Sequence, residues 1–151
     1  MSTLLTKKEV MKEIVKCGKD PDYFINNYAK ITHPQKGLIP FKTYEYQKNV
    51  LELFEDHRFN IVLKARQLGM STITAAYVVW LMLFHREKNV LVMATKFSTA
   101  SNLVKKVKTI LRNCPEWIRI AEVSIDNRTS FQLTNGSQIK ASSTSEDAGR
   151  S

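Results

Sequence analysis

The sequence predicts an α/β fold: a mainly parallel sheet with flanking helices, a helical lead-in before it and a β-hairpin after it. Three observations predict this. Residues 60–64, Asn-Ile-Val-Leu-Lys, read as a buried strand that feeds a short loop and then a helix from near Ser71. Residues 90–94, Val-Leu-Val-Met-Ala, are a continuous apolar run, the pattern of a strand covered on both faces. An amphipathic helix follows over residues 97–111. Strand, loop, helix, strand, helix is a βαβ arrangement, whose crossover sets its strands parallel.

In chain order, residues 6–16 carry Val10, Met11, Ile14 and Val15 on one helical stripe, with Gly18 as the expected stop. Asp20-Pro21 restarts a helix, Asp as N-cap and Pro in the first turn, placing Tyr23, Phe24 and Tyr28 on roughly one face. Residues 31–40, with His33-Pro34, Gly37 and Pro40, read as a loop. A third helix, residues 43–57, turns Val50, Leu51 and Phe54 inward. Residues 71–84 are almost wholly apolar, which marks a buried helix. Near the end the period changes. Residues 120–125, 129–133 and 137–141 read as strands, with Asn135-Gly136 as a hairpin turn between the last two. The organisation expected is a lead-in over residues 1–42 and an incomplete α/β domain over residues 43–151.

Composition narrows the function. At 151 residues and 43% hydrophobic the chain is at most one domain with a real core. Its net charge of +9 suits an anionic partner, nucleic acid first, or simply a solvated basic surface. Cys17 and Cys114 are too few for a disulfide framework and too isolated for a metal site. His33, His57 and His85 have no metal-ligand spacing. The N-terminus lacks a signal-peptide apolar core, and the run from Ile73 to Phe84 is too short to span a membrane, so no membrane role is expected.

The loop after residue 64 carries the chemistry. A strand running into a tight loop and a helix N-terminus gathers unpaired N–H groups and the helix dipole at one point, an anion site. The standard phosphate loop reads G-x-x-x-x-G-K-[ST]. Here Gly69 takes the second glycine place and Ser71 the hydroxyl place, but Met70 stands where the lysine belongs and Lys64 where the first glycine belongs. Two readings are open. In one, Lys64 ends a strand, Gly69 makes a turn and Ser71 or Thr72 caps a helix. In the other, Lys64 reaches back across the loop to nucleotide phosphates, Arg66 adds a mobile cation and Ser71 ligates Mg²⁺.

With its flanking segments, Lys64-Ala-Arg-Gln-Leu-Gly-Met-Ser-Thr72 resembles the ATPase domain of the large terminase subunit, the DNA-packaging motor of tailed bacteriophages. Some members of that family carry the phosphate-loop lysine at the front of the loop. Tyr44-Glu-Tyr-Gln47 resembles the family's adenine-recognition motif. Asp20-Pro-Asp-Tyr-Phe-Ile25 and the stretch from His33-Pro34 to Ile39-Pro-Phe41 resemble its lead-in. Leu133-Thr-Asn-Gly-Ser-Gln-Ile139 and Asp147-Ala-Gly-Arg150 resemble the stretch before its Walker B strand. The ordered set covers nearly the whole chain. It implies a P-loop ATPase using ATP and Mg²⁺. Tyr46, Gln47, Lys64, Arg66, Gln67, Leu68, Gly69, Met70, Ser71, Thr72 and Arg150 would surround the nucleotide. Gln47 would read adenine through its amide donor and acceptor, and Lys64 and Arg66 would serve catalysis. The implied partners are double-stranded DNA, the portal and prohead, and the small terminase subunit, in the host-cell cytoplasm.

The family pattern continues with an apolar strand ending in Asp-Glu, a coupling motif and a nuclease domain. No apolar run with a terminal Asp-Glu follows residue 60 here, so the chain reads as the front portion of such a protein. A helicase-type translocase and a non-catalytic nucleotide- or DNA-binding module are the alternatives. Lys105, Lys106, Lys108 and Arg112 form a basic helix face, either for DNA phosphates or for water. Thr95, just after the 90–94 run, is a further candidate by its place after a strand.

Overall fold

A computed structural model describes residues 6–144. The chain opens with α1 (Lys7–Lys19), started by a capping box in which Thr6 and Glu9 exchange hydrogen bonds. It runs through Gly18 instead of stopping there. A Cβ at Gly18 would lie 3.3 Å from the Phe84 ring, so the glycine is kept for close helix packing. Asp20 then caps α2 (Pro21–Tyr28) by accepting from the Tyr23 N–H at 3.0 Å, as its sequence predicts.

The stretch expected as a loop is a two-stranded antiparallel hairpin, β1 (Lys30–His33) and β2 (Gly37–Pro40). Its proline closes the second strand at an edge, where no ladder N–H is lost. Next come α3 (Glu45–Asp56) and α4 (Met70–Phe84). As its unbroken apolar composition requires, α4 lies at the centre of the core: α2 packs on it from one side, and α5 (Phe97–Arg112) from the other. The Trp80 indole N–H donates to the Cys17 carbonyl at 2.8 Å, joining α4 to α1.

The sheet corrects two expectations. Its four strands are β3 (Asn89–Ala94), β4 (Val123–Asn127), β5 (Ser130–Leu133) and β6 (Gln138–Ser143), in the spatial order β3-β6-β5-β4. Only β3 and β6 pair in parallel; β5 is antiparallel to both its neighbours, so the sheet is mixed rather than mainly parallel. The hairpin turns near residue 128 and at Asn135-Gly136 dictate this, since strands joined by tight turns must run antiparallel. At the second turn the Gly136 N–H donates to the Leu133 carbonyl at 3.0 Å.

The second correction is to residues 60–64, which form no strand. Ile61 and Leu63 are each 99% exposed, and no described residue pairs with this stretch. A strand is stable only beside another, so apolar β-branched composition alone does not make one. On the sheet itself, Ile139, Ala141, Phe131 and Leu133 are buried on the helix side, while Leu91 and Met93 of β3 are exposed on the other. Among the described residues no helix is long and apolar enough to cross a membrane, and no group of His, Cys, Asp and Glu is placed to hold a metal.

Candidate functional site

Residues 65–69 form a tight loop with two left-handed turns, Gln67 at φ 61° and Gly69 at φ 68°. Gly69 is the N-cap of α4, and no side chain caps it. Its carbonyl accepts from the Thr72 and Ile73 N–H groups, both at 3.0 Å. Ser71 and Thr72 therefore lie inside the first turn, and the reading in which one of them caps the helix does not hold. The first N–H groups of an α-helix have no acceptor within it, so an uncapped start leaves donors and the positive end of the dipole turned outward.

The loop is held from α3. The Tyr46 hydroxyl donates to the Leu68 carbonyl at 2.8 Å, and the Gln47 side-chain amide donates to the same oxygen at 3.3 Å. The Gln47 Oε1 accepts from the Tyr44 N–H at 3.1 Å, closing the start of α3. Gln47 is only 2% exposed, although the residues around it on α3 are solvent-facing. A Cβ on Gly69 would lie 2.8 Å from Gln47 Nε2. Glycine is thus required twice at position 69, by its positive φ and by the amide against it. Tyr44 and Tyr46 are both exposed and stack on each other, ring centroids 5.6 Å apart and planes within 7°. Neither packs inward.

Lys64 precedes the loop and Arg66 lies within it, both exposed and neither in an ion pair with a described residue. Met70, at the place of the standard lysine, is 8% exposed and belongs to the core. Ser71 is exposed and opens onto a cavity of about 280 Å³ between the start of α4 and the carboxyl end of β3. Ala94, Thr99, Asn102 and Lys106 also line it. In open sheets this end of the strands is where ligands bind. Thr95 is exposed just beyond it and does not line the cavity. Arg150, with Asp147 and the residues between, lies outside the described residues.

The basic face of α5 is not one surface. Lys108 and Arg112 converge on Asp126 of β4, at 2.5 and 2.6 Å. The Lys108 ammonium holds the Asp126 carboxyl below its ordinary range, against a smaller opposing effect of burial, and Arg112 adds to it. Lys105 and Lys106 remain exposed. By sequence alone Lys106 belongs to a basic helix stripe, solvated or DNA-facing. Its place beside Ser71 and Thr72 depends on how α5 packs on α4, which no local pattern encodes. Cys17 and Cys114 are buried, and burial pushes both thiols up to about 12, which disfavours the thiolate.

No family model matches the sequence. Among solved structures, the chain superposes on the HK97 bacteriophage large terminase with a TM-score of 0.67, over 89% of its own length, at 15% sequence identity. The fold is terminase-like. The chain spans 29% of the length of that protein. At this identity the likeness speaks for the fold alone.

Proposed function

We propose that this terminase-like chain is the nucleotide-binding front portion of a phage DNA-packaging ATPase. The observation that carries the reading is the uncapped start of α4 behind a left-handed Gly69, opening at the carboxyl end of β3. The terminase-like fold supports it. In this reading the triphosphate lies over the loop of Gln67, Leu68, Gly69 and Met70, held by backbone N–H groups at the start of α4. Lys64 and Arg66 come from the loop's leading edge to its oxygens. The exposed Ser71 hydroxyl and the cavity beside it fit a hydrated Mg²⁺, which prefers oxygen ligands and keeps several waters. When bound, Mg²⁺ would neutralise phosphate charge. Thr72 sits one residue further into the helix, beside the phosphates. Gln47 and Tyr46 hold the loop's shape through the Leu68 carbonyl, and the base would lie on their side of the site.

The work done with that nucleotide would be translocation of double-stranded DNA into a prohead, in the host cytoplasm, together with the portal and the small terminase subunit. Phosphoryl transfer to water relies on positioning and charge stabilisation. The test is an amide chemical-shift titration of the chain with Mg-ATP. Shifts centred on residues 66–73 that vanish in Lys64→Ala support the reading. No shift at the loop, or shifts confined to the basic face of α5, would favour a DNA-binding module instead.

A further inference from the structure

Lys106 is set apart from the other cations of α5. Its Nζ lies 3.5 Å from the Thr72 Oγ1, across the boundary between α5 and α4. It lines two openings beside the first turn of α4: the cavity with Ser71, and a second groove of about 200 Å³ with Thr72, Thr32, Thr109 and Lys105. Lys108 and Arg112 are neutralised by Asp126, whereas Lys106 forms no ion pair with a described carboxylate. An ammonium beside the positive end of a helix is repelled unless an anion shares the place. The residue that should bring a cation from the helix's first turn, Met70, is buried instead.

We propose that Lys106 is a phosphate-binding residue of the nucleotide site, supplying from α5 the positive charge that the standard loop places where Met70 stands. The inference rests on the reading of the α4 loop as a triphosphate site. It assigns the ligand's charge to two lysines, Lys64 from before the loop and Lys106 from the neighbouring helix. A polyphosphate there would accept hydrogen bonds from the ammonium, whose one hydrogen-bond partner among the described residues is the Thr72 hydroxyl.

The experiment is a titration of the isotope-labelled chain with sodium tripolyphosphate in the presence of Mg²⁺, read at the amides of residues 69–73. It is repeated for Lys106→Gln, Lys106→Arg, Lys64→Ala and the remote control Lys48→Gln. We expect Lys106→Gln to raise the Kd about tenfold, as loss of one charge-assisted hydrogen bond implies. Lys106→Arg should recover most of the affinity, and Lys48→Gln should match wild type. Wild-type affinity in Lys106→Gln with loss in Lys64→Ala would overturn the role of Lys106 and leave the loop reading standing. Equal losses in Lys106→Gln and Lys48→Gln would reduce the effect to overall charge and overturn it too. Absence of any tripolyphosphate response in the wild-type chain would overturn the loop reading and this inference together.

Discussion

The Gln47 side-chain amide donates to the Leu68 carbonyl at 3.3 Å, tying the first turn of α3 to the loop that precedes α4. Its oxygen accepts the Tyr44 N–H, so donor and acceptor are both engaged within the protein. A side chain placed this way acts on the loop before it acts on any base. Gln47→Ala is therefore expected to weaken tripolyphosphate and ATP binding alike. It should also lower stability by about 1–3 kcal/mol, the usual cost of leaving buried groups unpaired. Thermal melts and parallel titrations check this. Selective loss of ATP binding would instead make Gln47 a reader of adenine.

Gly69→Ala should be more costly than a helix-start substitution. Its φ of 68° and the 2.8 Å approach of Gln47 Nε2 both oppose a side chain. A loss of about 1–3 kcal/mol is expected from the strained backbone alone. Because the two residues touch, the Gly69→Ala/Gln47→Ala double variant should lose less than the sum of the singles. Strict additivity in chemical denaturation would show that the contact does not constrain the loop.

If the α4 loop holds a triphosphate as proposed, Lys64 serves the ligand while Met70 serves the core, and their substitutions should separate. Lys64→Ala is expected to leave the melting temperature unchanged and to abolish triphosphate binding, since Lys64 is exposed. Met70→Ala removes a core side chain and should cost about 2–5 kcal/mol while sparing binding in the molecules that remain folded. The reverse pattern would return the lysine's role to the Met70 position.

Glu13 on α1 accepts hydrogen bonds from the Tyr23 and Tyr28 hydroxyls of α2, and these hold its carboxyl below the ordinary value of 4.5. A depressed folded-state pKa stabilises the fold above the unfolded-state value. That contribution fades as pH falls through the folded-state value. The melting temperature of wild type should thus fall more steeply than that of Glu13→Gln as pH drops from about 5 toward about 3. Parallel curves would show that α1 and α2 are held together without this carboxylate.

The stretch around Ile61 and Leu63 should drive self-association, because exposed apolar residues without a strand partner attract other chains. Ile61→Lys/Leu63→Lys is expected to reduce light scattering at high protein concentration without lowering the melting temperature. A destabilised variant would mean that these side chains are packed in solution.

The helices were legible in the sequence because their causes are local. Thr6 with Glu9 and Asp20 with Pro21 mark helix starts by side-chain capping, and the all-apolar run of α4 can only be buried. The Asn135-Gly136 hairpin was legible for the same reason, as its turn chemistry lies in adjacent residues. The candidate loop was legible from its order of residues, Lys64 through Thr72.

What only the tertiary structure decided depends on partners distant in sequence. Residues 60–64 have strand composition, yet a strand exists only where a neighbour accepts its hydrogen bonds, and none of the described residues does. The parallel pairing of β3 with β6, distant in sequence, followed from which strands meet, not from their apolar content. The contacts of Gln47 with Tyr44 and Leu68 join α3 to the loop before α4, and no local pattern encodes them. Lys106 and Lys108 are two residues apart on one helix, yet Lys106 faces Thr72 and Lys108 faces Asp126. A helix turns about 100° per residue, so packing sends near neighbours to different surfaces, and only the assembled fold determines what each one meets.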